Sequence, residues 1–136
     1  MHVIIAESKK ALLDHFRIRG EVFIVEQAID WTEEFDPADY QATLFVLYEN
    51  DEAIGAARLY KNKVGRVAVL KAHRHRQAGS QLMLAVEAHA RQHGIKRLEL
   101  GAQLPVIPFY ENLGYQAYGA IFLDAEIEHR MMEKDL

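Results

Sequence analysis

The stretch Val67-Ala68-Val69-Leu70-Lys71-Ala72-His73-Arg74-His75-Arg76-Gln77-Ala78-Gly79-Ser80-Gln81-Leu82-Met83 decides the fold. An apolar strand pattern runs into a basic, glycine-containing turn, and the turn runs straight into a helical pattern. The first N–H groups of a helix have no partner within it, and the helix dipole adds positive potential at the same place. Lys71, His73, Arg74, His75 and Arg76 lie just ahead of the helix, so the stretch reads as a site for a phosphorylated ligand. A solvated basic loop would carry the same residues, and the segment alone leaves both readings open.

Working outward, the chain alternates between strands and helices. His2 to Ala6 reads as a short strand, and Ser8 suits a helix N-cap. Leu12, Leu13, Phe16, Val22 and Phe23 then mark the apolar face of a helix, with a break expected near Gly20. Trp31 to Tyr40 is acidic and loop-like, with Pro37 opposing a continued helix. Thr43–Tyr48, Ala53–Tyr60 and Val64–Leu70 are strand-like runs, joined by turns at Asn50-Asp51 and Lys61-Asn62-Lys63. From Ala78 to His93, Leu82, Ala85, Val86, His89 and Ala90 share one helical face, closed by Gly94. Arg97–Ala102 is a strand, Pro105–Leu113 a short helix, and Tyr115–Leu123 and Ile127–Met132 closing strands.

That order, β-α-β-β-β-α-β-α-β-β, predicts an α/β (α+β) fold with a mixed central sheet of about six to seven strands and helices on both faces. One domain spanning residues 1–136 is expected. A ligand belongs outside the C-terminal end of the central strand.

Composition narrows the function. Half of the 136 residues are hydrophobic, enough for a packed core. No apolar run reaches the ~18 residues of a membrane span, and the N-terminus lacks a signal-peptide pattern, so no membrane partner is expected. The chain has no cysteine, which excludes disulfides, thiolate metal sites and a cysteine nucleophile, and is compatible with the cytoplasm. A net charge of −4 argues against nucleic acid and makes the basic cluster a local feature. His89 and His93, and His73 and His75, lack a third ligand, so no metal is expected. Serine occurs only at Ser8 and Ser80, which disfavours a covalent acyl-enzyme.

Several motifs carry a resemblance. Arg74-His75-Arg76-Gln77-Ala78-Gly79-Ser80 stands where the GNAT superfamily of acyl-CoA N-acyltransferases has Arg/Gln-x-x-Gly-x-Gly/Ala between a strand and a helix. Gln77 replaces the first glycine. Pro108-Phe109-Tyr110-Glu111-Asn112-Leu113-Gly114-Tyr115 is similar to the family's F-Y-x-x-x-G-F signature. The segments Arg19 to Gln27 and Asp124 to Met132 are similar to the ElaA/YjcF-like branch. The resemblance extends over essentially the whole chain.

It implies acetyl-CoA (coenzyme A) as co-substrate. Arg74, His75, Arg76, Gln77, Ala78, Gly79 and Ser80 would then cradle the pyrophosphate. Val67, Ala68 and Val69 resemble the strand that pairs with the pantetheine arm, where a bulge turns an N–H, here near Val69, toward the thioester carbonyl. Asn112 would sit near the coenzyme.

By the same resemblance, Tyr110 protonates the departing thiolate. A phenol, with pKa ~10, keeps its proton at neutral pH. The alternative for Tyr110 is a core tyrosine. His129 lies in an I-x-H-x-x-M pattern similar to that of the base in glyphosate-N-acetyltransferase-like enzymes, and an imidazole can accept an ammonium proton. It could instead close the last strand. Glu26 is a rival base, and water chains are a third route. Arg19, Arg58 and Arg66 fall on elements expected to line the acceptor side, where an arginine can grip a carboxylate or phosphate by two prongs. Gln103 is a similar candidate.

The expected function is transfer of an acetyl group from acetyl-CoA to a small-molecule amine, by direct attack in a ternary complex, in the cytoplasm. Acetylation of a protein or peptide amine is the alternative, as is a non-catalytic coenzyme-A-binding sensor or interaction module. A nucleotide-binding domain is a weaker rival. The edge of the final strands leaves room for a homodimer.

Overall fold

A computed structural model describes all 136 residues. β1 (His2–Ile5) leads into α1 (Lys9–Arg19), whose first turn is capped by the Ser8 side chain accepting from the Ala11 N–H. The helix does not break at Gly20. That glycine keeps helical backbone angles, and the chain continues as a π-helical segment over Gly20–Glu26, ending where the Gln27 N–H donates to the Val22 carbonyl. The wider turn absorbs the glycine without interrupting the hydrogen bonds.

The acidic stretch is also more ordered than a loop. Asp30 caps a one-turn helix, α2 (Trp31–Glu34), and Asp36 caps a 3-10 turn over Pro37–Tyr40. Pro37 sits in its first turn, where a missing N–H costs nothing.

β2 (Thr43–Glu49), β3 (Glu52–Tyr60) and β4 (Lys63–Val69) form a meander. Next come α3 (Ala78–Gln92), β5 (Arg97–Gln103), α4 (Ile107–Asn112), β6 (Gln116–Asp124) and β7 (Ile127–Asp135). The seven strands make one mixed sheet in the order β1-β2-β3-β4-β5-β7-β6. β2 reads as a continuous apolar run because both its faces are buried. Phe45 and Leu47 join the core that also holds Leu82 and Val86 of α3. Leu44, Val46 and Tyr48 join the core that holds Ile18 of α1. No helix is long and apolar enough to cross a membrane.

Two irregularities position the site. β4 and β5 are parallel and pair only at Lys63↔Glu99 and Val64↔Leu100, after which they diverge. β4 also bulges: Ala56 pairs with Ala68 and Arg58 with Gly65, so Arg66 and Val67 together oppose Ala57. Arg66 takes a positive φ of 54° there. The bulge therefore lies at Arg66–Val67, ahead of the expected Val69, which pairs regularly with Gly55.

Candidate active site

The divergence of β4 from β5 opens a cavity of about 560 Å³. Arg66 and Val67 line it from β4, Ala102 and Gln103 from β5, Tyr110 from α4 and His129 from β7. That volume suits a small ligand.

Tyr110 is buried against Tyr115 and Phe109, in edge-to-face contacts with ring centroids 5.9 and 4.9 Å away. Burial alone pushes its phenol pKa well above the ordinary value, so the hydroxyl is held protonated. His129 is placed by pairing with Gln103 across the β5–β7 ladder. Its Nδ1 lies 2.7 Å from the Ile127 carbonyl, and its ring stacks on Phe122. A carbonyl can only accept, so Nδ1 carries the proton and Nε2 the lone pair. Gln103 donates from Nε2 to Gln27 Oε1 at 2.9 Å, tying the end of β5 to the chain just after the π-helical segment.

The arginines expected to meet substrate are already engaged. Arg19 does not reach the cavity wall: it is fully buried, between the rings of Phe16 and Phe35. Its Nε donates to Glu34 Oε2 at 2.8 Å, its Nη1 to Asp39 Oδ1 at 2.7 Å, and its Nη2 to the Glu34 carbonyl at 2.8 Å. Arg58 and Arg66 do line the cavity, bound to Asp36, Asp39 and Glu34. Burial raises the Glu34 pKa against the opposing effect of these arginines. Burial works against the charged form of Asp39 too, but hydrogen bonds from Arg19 and Arg58 outweigh it and hold its carboxyl below the usual range. Glu34 and Asp36, which line the cavity, and Asp39, which pairs with Arg19 and Arg58, are three carboxylates that the sequence reading does not single out. The signal was the acidic run itself, matched to arginines that needed buried partners.

After β4 and its turn, α3 begins without a side-chain cap. Gln81 is the first residue whose N–H finds the carbonyl four residues back, that of Gln77. The N–H groups of Ala78, Gly79 and Ser80 precede it and have no such partner. Gln77 has φ +69°, the left-handed conformation that a glycine adopts freely, and His75 has φ +64°. Gly79 has a separate reason: a Cβ there would come within 3.0 Å of Phe109 Cζ. The basic residues of the turn are partly tied. Arg74 Nη1 and Nη2 grip Glu26 at 2.6 and 2.7 Å, and Arg74 Nε donates to the Val69 carbonyl. Arg76 donates to Glu49 at 2.6 Å. His75 is exposed, as is Asn112 on α4, and Ala68 is buried beneath α1. The hydrogen bonds from Arg74, chiefly, lower the Glu26 pKa, which weakens it as a base. No cluster of three or more metal-binding side chains is present.

The chain that builds this splayed parallel pair and uncapped helix matches a known family model. The acetyltransferase (GNAT) domain aligns with residues 4–136. The chain belongs to the GNAT acetyltransferases.

Among GNAT proteins it is similar to YjcF of Bacillus subtilis, an uncharacterized N-acetyltransferase: 36% identity over 140 aligned positions, covering 99% of this chain and 100% of YjcF. The crystal structure of a candidate N-acetyltransferase from Lactobacillus plantarum superposes with a TM-score of 0.90 at 30% identity, covering 98% of this chain and 97% of the other. Escherichia coli ElaA gives 0.85 at 26% identity, covering 98% and 97%. These relatives put the GNAT domain in the ElaA/YjcF-like branch.

Proposed function

We propose that this GNAT enzyme transfers the acetyl group of acetyl-CoA to the amine of a small molecule by direct attack in a ternary complex, in the cytoplasm. The observation that carries the reading is the convergence of Tyr110 and His129 on one cavity at the β4–β5 divergence.

The free N–H groups of Ala78, Gly79 and Ser80, with Arg74 and His75 ahead of them, suit a pyrophosphate. His129 Nε2 takes one proton from the acceptor ammonium and passes it to solvent. The neutral amine forms the C–N bond at the thioester carbonyl carbon, and the C–S bond breaks. Tyr110 gives its proton to the departing sulfur, and the second proton shed by the nitrogen restores the phenol. Glu26, gripped by Arg74, is left out of the base role.

Incubating the protein with acetyl-CoA and a library of amines, while following thiol release, tests the proposal. Amine-dependent release is expected. Tight coenzyme binding with no release from any amine would replace this reading with a coenzyme sensor.

A further inference from the structure

The charge pattern of the acceptor cavity sorts amines by what else they carry, an inference that rests on the acetyl-transfer reading above. Arg58 Nη1 donates to Asp36 Oδ1 at 2.7 Å and to Asp39 Oδ1 at 3.0 Å, and Nη2 to Asp36 Oδ2 at 3.3 Å. Arg66 Nε donates to the Glu34 carbonyl at 3.1 Å, and Nη2 to Asp36 Oδ2 at 3.1 Å and the Glu33 carbonyl at 3.3 Å. A two-pronged grip on a substrate carboxylate needs a guanidinium edge without a competitor. Here internal acceptors occupy at least one nitrogen of every edge, leaving only Arg58 Nε and Arg66 Nη1 unpaired, one on each residue. Lys63 also lines the cavity without an acidic partner, but it is exposed at the start of β4, at the paired end of the β4–β5 ladder.

The carboxylates are placed differently. Glu34 lines the cavity with 3% of its side chain exposed. Arg19 Nε and Arg66 Nε approach its Oε2, at 2.8 and 3.2 Å, and the other hydrogen bonds to it run to its backbone carbonyl. Oε1 is left open. No buried side-chain polar atom is both sealed from solvent and unpartnered, so Oε1 keeps some contact with solvent, on a residue that lines the cavity. Glu33 and Asp124 line the same cavity, both exposed and both without a basic partner.

We infer that the acceptor is a cationic amine lacking a carboxylate, with Glu34 Oε1 receiving its positive charge and Asp36 keeping Arg58 and Arg66 from gripping acidic substrates. An acidic acceptor would meet Glu33, Glu34 and Asp124 with no complete guanidinium edge to offset them. Selection of this kind works by repulsion as well as attraction.

Three pairs of probes test it: tyramine against tyrosine, histamine against histidine, and agmatine against arginine. In any pair that turns over, kcat/KM should favour the decarboxylated member by about 30-fold or more. Asp36→Asn, which frees guanidinium edges, should narrow that ratio by about tenfold. In folded Glu34→Gln protein, KM for the amines should rise by about tenfold. Equal or faster turnover of the amino acids overturns the inference whether or not Glu34→Gln folds. An unchanged KM in folded Glu34→Gln removes Glu34 as the receiving group. Turnover in the wider library confined to amines that carry a carboxylate overturns this inference alone. No thiol release from any amine overturns the acetyl-transfer reading with it.

Discussion

Arg74 holds Glu26 face to face, Nη1 on Oε2 at 2.6 Å and Nη2 on Oε1 at 2.7 Å. Arg74 comes four residues before the uncapped start of α3, in the turn that would cradle a pyrophosphate. An arriving pyrophosphate and the Glu26 carboxylate therefore compete for one partner. Glu26→Gln should tighten coenzyme A binding by about two- to fivefold, since a part-exposed pair of this kind is worth little. Calorimetric titration measures it. The same variant should keep its kcat; a collapse would return Glu26 to the base role.

Tyr110→Phe removes the proton donor and little else, because burial rather than hydrogen bonding accounts for the perturbed phenol. Turnover should fall by about 100-fold or more. Coenzyme affinity and melting temperature should stay close to wild type. Steady-state kinetics beside calorimetry separates the two effects, and an unchanged kcat would make Tyr110 a core residue.

His129 Nε2 is the ring nitrogen left to accept a proton, since Nδ1 faces the Ile127 carbonyl. His129→Ala should lower kcat/KM by about 100-fold, with coenzyme A affinity close to wild type. An unchanged kcat/KM would assign the proton transfer to water.

Gly79 and Phe109 bring the start of α3 and α4 together by contact. Gly79→Ala places a methyl 3.0 Å from Phe109 Cζ and should destabilise the fold by about 1–3 kcal/mol. Adding Phe109→Leu should recover part of that loss. Urea unfolding of the single and double variants gives the comparison.

His15 sets an acid sensitivity. It is fully buried, its Nδ1–H donating to the Phe45 carbonyl at 3.0 Å and its Nε2 accepting from Arg19 Nη1 at 3.1 Å. Burial, chiefly, pushes its pKa down from 6.5 to about 4. The unfolded chain takes up this proton near pH 6.5 and the folded chain only near pH 4. Stability is therefore full above pH 6.5 and is lost as pH falls through the window, by about 2 kcal/mol between pH 7 and pH 5. Asp36 and Asp39, held below the usual carboxylate range, add their loss only below about pH 4. His15→Gln should flatten the dependence between pH 7 and 5, measured by urea midpoints.

The order of elements was legible because each strand and helix announces itself locally. The alternation in Arg97–Gln103, the stripe from Leu82 to Ala90 and the start of α3 are all short-range patterns. Three features were not. Gly20 suggests a break, yet a wider helical turn carries the chain through it. The bulge at Arg66 and Val67 is a matter of pairing with β3, where the two oppose Ala57, and the sequence of β4 alone does not encode that register. The engagement of Arg19, Arg58 and Arg66 depends on pairings across 15 to 32 residues, so three arginines that read as substrate contacts turn inward to Glu34, Asp36 and Asp39.

The sheet is in effect two ladders, β1 to β4 and β5 with β7 and β6, joined by the pairings at Lys63 and Val64. So thin a seam cannot make the two ladders melt together through backbone bonds. That task passes to side chains: Leu59 and Val64 from one ladder and Leu98, Leu100 and Met132 from the other share a single core beneath α3. Cooperativity in this molecule belongs to its oil rather than its rungs, and the divergence beyond Val64 gives a guest room without a backbone hydrogen bond having to break.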